Sequence, residues 1–352
     1  MAEIDIVALP GDGVGPEVTD AMISVLTAVS HRYGHSFTVR SHDIGWAAFE
    51  RHGTVLPDET LAAARTGPAV FLGAVGDPRA EGLSPSLRPE SALLRLRSEL
   101  GCFANLRPAR VDAALAALSP LRPDLAAGCD LLIVRELTGG LYYGTPRHSD
   151  GVTAVNTLRY TDMEVERIAR VAFDAARARR SHVTSIDKAN VLEVSQLWRE
   201  VVTRVSSDYP DVTLAHMLVD RAAMEMVMNP SQFDVILTTN MFGDILSDEA
   251  SALTGSVGLL ASASVGGSVG IYEPVHGPDP DLASKGVANP IGAIRTGALM
   301  LSHSFALHGE AAAIEEAIQR VLARGLRTRD IAAGGPSVGT TAFAAAVTEK
   351  LT

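Results

Sequence analysis

In the stretch Asn240-Met-Phe-Gly-Asp-Ile-Leu-Ser-Asp248, two carboxylates, Asp244 and Asp248, stand four residues apart just after an apolar run. On a helix that spacing puts both on one face, within reach of a single hard cation such as Mg²⁺ or Mn²⁺. The same spacing also serves a helix start with one solvated partner. The preceding run, Phe233–Thr238, reads as a buried strand and delivers Asp244 to a strand-to-helix junction, where α/β ligand sites lie. Asp220, ahead of a Met-rich helical stretch, offers a third carboxylate.

Three further groups carry possible chemistry. In Arg88-Pro-Glu-Ser-Ala-Leu-Leu-Arg-Leu-Arg97, the residues Glu90, Leu93, Leu94 and Arg97 fall at helical spacing on one face. Two leucines there serve core packing or an apolar pocket, and Arg97 either snorkels or joins Arg107 and Arg135 in a cationic site for a dicarboxylate, since guanidinium forks pair with carboxylates in a bidentate way. Lys188 follows an apolar strand between Asp187 and Asn190, placed for proton transfer if partial burial lowers its pKa, or simply for an ion pair. Tyr142 and Tyr143 offer phenols on a glycine-bounded hairpin, for proton donation or for a subunit contact.

These groups need a scaffold, and the chain supplies one. Short β-branched runs (Ile4–Val7, Phe71–Ala74, Leu131–Val134, Val183–Ile186, Val235–Thr238) alternate with amphipathic helical stretches such as Val18–Ser30, Asp162–Ala178 and Ser195–Val205, which is the pattern of an α/β protein. Gly139–Pro146 and Gly266–Pro290 read as long irregular segments. The loop Pro10-Gly-Asp-Gly-Val-Gly-Pro-Glu17 follows a strand and opens a helix, yet Pro16 stands where a dinucleotide fingerprint needs spacing to a third glycine, so the loop reads as a tight turn.

With 352 residues, 47% of them hydrophobic, the chain can bury a large core and is expected to form two domains. A net charge of −11 leaves no broad basic field for nucleic acid. Ala178-Arg-Arg-Ser181, the nearest approach to a basic cluster, reads as a solvated helix face. Two cysteines do not make a disulfide framework or a cysteine zinc site, and they point to a reducing compartment. Acids near the N-terminus in place of a basic leader, and no apolar run of about 18 residues, make the cytoplasm the expected location and a membrane partner unexpected.

Taken together, Leu9–Glu17, Phe103–Pro108, Ile133–Gly140, Asp187–Leu192, Asn240–Asp248 and Glu273–Gly277 occur in an order that resembles the isocitrate/isopropylmalate β-decarboxylating dehydrogenases over nearly the whole chain. The resemblance implies a two-domain α/β fold with a mixed central sheet rather than a Rossmann fold, with residues 1–102 and 255–352 forming the first domain and 103–254 the second, which carries the metal site, the dimer interface and an arm. It implies a homodimer with shared active sites, in which Asp244 and Asp248 bind Mg²⁺ or Mn²⁺ with Asp220 of the other copy. Arg97, Arg107 and Arg135 would hold substrate carboxylates, Lys188 would assist hydroxyl deprotonation, and Tyr142 would protonate the enol left by CO₂ loss. Glu90, Leu93, Leu94 and Val191 would contact the substrate's third substituent, and the leucine pair suits the isopropyl branch of 3-isopropylmalate. Val14, Glu273, His276, Gly277, Asp281 and Asn289 would bind the cofactor, with Asp281-Leu282 favouring NAD over NADP. Gly76–Ala80 departs from the family's usual segment near the nicotinamide. Tartrate, malate and homoisocitrate are alternative substrates, and a non-catalytic regulatory subunit or a metal-dependent hydrolase are alternative roles.

Overall fold

A computed structural model describes residues 1–351. Two compact units emerge, one formed by Met1–Cys102 together with the chain from Ser256 onward, the other by Phe103–Gly255.

The chain enters the first unit through β1 (Glu3–Gly11), α1 (Gly15–Tyr33), β2 (Ser36–Ser41), α2 (Gly45–His52), α3 (Asp58–Thr66), β3 (Ala69–Ala74) and α4 (Pro89–Glu99). Every residue of β3 is buried, as expected for a strand covered on both faces by α/β crossovers. The second unit follows with β4 (Ala104–Arg110), α5 (Pro123–Ala126), β5 (Asp130–Glu136), the two-residue strands β6 (His148–Ser149) and β7 (Ala154–Val155), α6 (Asp162–Arg177), β8 (His182–Asp187), α7 (Glu193–Ser206), β9 (Thr213–Leu218), α8 (Val219–Met228), β10 (Val235–Thr238) and α9 (Asn240–Leu253). The chain then returns to the first unit through β11 (Ala261–Val265), β12 (Gly270–Pro274), α10 (Ile291–Phe305), α11 (His308–Ala323) and α12 (Thr340–Leu351).

In the first unit the strand order is β2-β1-β3-β12-β11, parallel except for the antiparallel β11/β12 pair. In the second it is β4-β5-β10-β8-β9, parallel except for β4/β5. Helix α10 packs on β11 and β12 and is buried along most of its length, while α1 lies against α10 and α12. In the second unit α6 covers β5, β8 and β10, and its start is fixed by a capping box in which Thr161 and Glu164 bond each other's backbone N–H.

Three local expectations differ. Arg180 is exposed as expected, but Arg179 is not part of a solvated face: Asp234, buried at the foot of β10, accepts Arg179 Nε at 2.8 Å as well as the Arg180 backbone N–H at 2.9 Å. A helix-period reading could not see a partner more than fifty residues away in the chain. Tyr142 sits on a 3₁₀ turn, Gly140–Tyr142, rather than a hairpin, because the paired strands β6 and β7 form only after it. The Gly266–Pro290 stretch, read as irregular, contains β12, whose Ile271 and Tyr272 are buried. Both cysteines are unpaired and buried, and burial pushes each thiol up to about 11. Among the described residues no helix is long and apolar enough to cross a membrane.

Candidate active site

In the second unit the chemistry gathers at the C-terminal ends of β5 and β10. Arg135, 6% exposed, ends the apolar run of β5 and lies in register with Thr238, the last residue of β10. Asn240, the first residue of α9, answers it: Asn240 Oδ1 accepts Arg135 Nε at 3.0 Å and Nη2 at 2.8 Å, and Asn240 Nδ2 donates to Leu137 O and Gly139 O. One turn on, a Cβ on Gly243 would lie 2.6 Å from Arg135 Cγ, so only glycine lets the guanidinium lie along the helix. Arg135 Nη1 pairs with Asp244, and the Tyr142 hydroxyl donates to Asp244 Oδ2 at 2.9 Å. Burial and this bond raise the phenol above its ordinary pKa, which favours a protonated, donating tyrosine.

Asp248, a further turn along, is 78% exposed at its side chain and lies 3.6 Å from Arg107 Nη1 on β4. Arg107 is itself aimed by Asn105 Oδ1 at 2.8 Å and by Ser247 Oγ at 2.7 Å. The helix thus presents two hard oxygen donors flanked by two guanidinium groups.

A second polar group stands at the end of β8. Asp187 is buried and grips Arg199 with both oxygens, at 2.9 and 2.8 Å. Lys188 next to it turns outward, and its Nζ pairs with Asp220 in the first turn of α8, which holds that carboxyl below its ordinary pKa. Among the described residues no three metal-ligating side chains converge. Within one chain Asp220 pairs with Lys188 and stands apart from Asp244 and Asp248. Val191 is exposed beside this group, and Met224, Val227 and Met228 on α8 and Ile245 on α9 leave apolar surface uncovered.

In the first unit α4 separates its residues by depth. Ala92 and Leu96 are core, Leu93 packs against that core, and Leu94 is 50% exposed, so the leucine pair does not act as one face. Glu90 is exposed. Arg97 pairs with Glu273 of β12 and keeps a buried Nε without a hydrogen-bond partner. Glu273, expected at the cofactor, is the partner of this arginine.

Also in this unit is a cavity of about 460 Å³, within the range of small-molecule sites, walled by Val14, His276, Gly277, Leu282, Ala288 and Asn289 among others. His276 Nδ1 lies 2.9 Å from Gly277 O, while its buried Nε2 has no partner and burial holds the imidazole below its ordinary pKa. His276 thus brings one unsatisfied polar atom to an otherwise largely apolar wall. Asn289 Oδ1 accepts Ile291 N at 3.0 Å, so this residue also starts α10. Asp281 is exposed and is not part of the cavity wall, whereas Asp279 is, with a left-handed φ of 37°. Asn240 and Asp279 were not singled out from the sequence. The clue for Asn240 was its place at the junction ahead of Asp244.

A family model described as isocitrate/isopropylmalate dehydrogenase matches residues 5–347. The chain belongs to this family. It is 54% identical to a 3-isopropylmalate dehydrogenase of Halalkalibacterium halodurans, across 99% of this chain and 98% of that one, and 52% identical to one of Pseudomonas fluorescens, across 98% of each. An isocitrate dehydrogenase structure from Methylococcus capsulatus superposes with a TM-score of 0.87 at 37% identity over 99% of both chains. A β-decarboxylating dehydrogenase from Thermococcus kodakarensis gives 0.84 at 35%, over 99% of this chain and 96% of that one. The fold is accordingly that of isocitrate dehydrogenase-like enzymes and not a Rossmann fold, and the protein is an enzyme of this dehydrogenase family.

Proposed function

We propose that the protein catalyses the NAD-dependent oxidative decarboxylation of (2R,3S)-3-isopropylmalate to 4-methyl-2-oxopentanoate and CO₂, a step of leucine biosynthesis. The observation that carries this reading is the arrangement on α9, where two carboxylates one turn apart each lie beside an arginine and Asp244 also accepts the Tyr142 hydroxyl. The names of the relatives at 51–55% identity supply the substrate.

Asp244 and Asp248 offer the hard oxygens that Mg²⁺ or Mn²⁺ takes, and Asp220 of a second copy is the proposed third ligand. When bound, the cation would polarise the substrate's hydroxyl oxygen, and NAD would take the hydride from the carbon that bears that hydroxyl. Everything else falls to the chain. Arg107 and Arg135, now paired with the aspartates, would turn their forks to the substrate carboxylates, as would Arg97 of the first unit, leaving the aspartate oxygens to the cation. Lys188 of the second copy, whose ammonium pairs with Asp220 within its own chain, assists removal of the hydroxyl proton, which leaves through water. After the carbon–carbon bond to CO₂ breaks, Tyr142 returns a proton to the enol carbon.

A homodimer with shared sites follows from these roles. It is supported by the apolar surface that Met224, Val227, Met228 and Ile245 leave uncovered. The cavity beside His276 is the proposed NAD site, with Val14, His276, Gly277 and Asn289 in its wall and Asp281 assigned to the adenosine ribose. The unpaired cysteines support the cytoplasm as the location. Incubation with 3-isopropylmalate, NAD and Mn²⁺ should yield NADH and CO₂ in equal amounts, and a chelator should stop both. NADH without CO₂ would sink the decarboxylation half of the reading.

A further inference from the structure

The loop Gly11-Asp-Gly-Val-Gly-Pro-Glu17 has no part in the roles assigned above, apart from Val14. Its two carboxylates nevertheless reach far along the chain. Asp12 is buried, and its Oδ2 accepts the backbone N–H of Trp46 and of Gly76 while Oδ1 accepts that of Ala47, each at 2.9 Å. Val14 N donates to Pro278 O at 2.7 Å, and Gly13 must be glycine because a Cβ there would fall 1.9 Å from the same carbonyl.

Glu17, half-buried in the first turn of α1, acts on the other side of the cavity. Its Oε2 accepts Gly286 N at 3.1 Å and its Oε1 accepts Ala288 N at 2.9 Å, so the two amides flanking Val287 are held by one carboxylate. Thr340 Oγ1 stands 2.7 Å from Ala288 O and 3.1 Å from Glu17 Oε1, and Thr340 N donates to Gly286 O at 2.9 Å. Val287, Ala288 and Asn289 are cavity wall, while Glu17 is not. The segment has no regular hydrogen-bond ladder of its own, and Gly286 takes a left-handed φ of 65°. Its shape therefore depends on groups outside it.

We infer that Glu17 is a positioning residue for cofactor binding: its carboxylate fixes the Gly286–Ala288 backbone, and so the wall that Val287, Ala288 and Asn289 present to the cavity. The inference rests on the reading of that cavity as the NAD site. Charge-assisted bonds to backbone N–H groups are stronger than neutral ones, and no uncharged side chain of the same length accepts on both arms.

The test uses the full-length protein with Glu17→Ala and Glu17→Gln, NAD titration by calorimetry, and hydrogen exchange at the Gly286 and Ala288 amides without ligand. In Glu17→Ala both amides should exchange faster by about tenfold or more, and the Kd for NAD should rise by about tenfold, the low end of what losing a single bond to a charged acceptor costs. Glu17→Gln, which keeps one acceptor, should fall between, and it carries the test if the alanine variant does not fold. In turnover, KM for NAD should rise much more than KM for the hydroxy acid. Unchanged exchange at the two amides, or faster exchange with an unchanged Kd, would overturn the inference. Equal rises in both KM values would also overturn it, since that is the mark of general loosening. Failure of the wild-type chain to bind NAD would overturn both this inference and the reading it rests on, whereas wild-type binding matched by Glu17→Ala would overturn this inference alone.

Discussion

Leu94→Ala separates a pocket wall from core packing, and the structure sets the size of its effect. Complete burial of a leucine side chain stabilises by about 1.5–3 kcal/mol. Leu94 is 50% exposed in the chain alone, so a bound isopropyl group can bury at most the remaining half, roughly 1 kcal/mol, or about fivefold in kcat/KM. Malate lacks the branch and should lose almost nothing. Leu93 already packs against the core cluster of Leu56, Leu96 and Leu100, so Leu93→Ala should lower the unfolding midpoint more than Leu94→Ala does. The assay is kcat/KM for 3-isopropylmalate and for malate in the wild type and both variants, with thermal unfolding alongside. An equal loss on both substrates in Leu94→Ala, or a large fall in its midpoint, would refute the reasoning and return Leu94 to the core.

Other expectations follow from the same geometry. Lys188→Met and Tyr142→Phe should each lower kcat by ~10²-fold with the fold intact, and near-native turnover in either would remove that residue from the mechanism. Asp281→Lys with Leu282→Tyr should move preference from NAD toward NADP by about tenfold or more at fixed ionic strength; an unchanged ratio would shift the ribose contact to Asp279 in the cavity wall. In the proposed dimer with shared sites each site draws Lys188 and Asp220 from the other copy, so Met228→Asp on the exposed face of α8 should give a monomer in light scattering and lower turnover; a dimer of undiminished activity would place the interface elsewhere.

Much of the scaffold was legible because it is local. The apolar runs of β3, β5, β8 and β10 and the amphipathic α6 and α7 stand where their periods put them. The helix that carries Asp244 and Asp248 was legible from a buried strand followed by i,i+4 carboxylates. What escaped is the set of contacts that no period encodes. Asn240 answering Arg135, Asp234 gripping Arg179, and Asp12 gathering three backbone amides each join residues tens of positions apart. The leucine pair of α4 shows the same limit at short range: adjacent residues of one type were read together, yet the helix turns one toward the core and the other toward solvent. Likewise, the buried Tyr272 in a glycine-rich stretch marks a strand that turn residues on both sides concealed.

The central claim is the substrate. Steady-state kcat/KM measured with Mn²⁺ for 3-isopropylmalate, isocitrate, homoisocitrate, tartrate and malate, each with NAD and with NADP, tests it most directly. The branched substrate with NAD should give the highest value, with CO₂ formed in step with NADH. A higher value for any of the other acids, or no NADH from the whole panel, would contradict it.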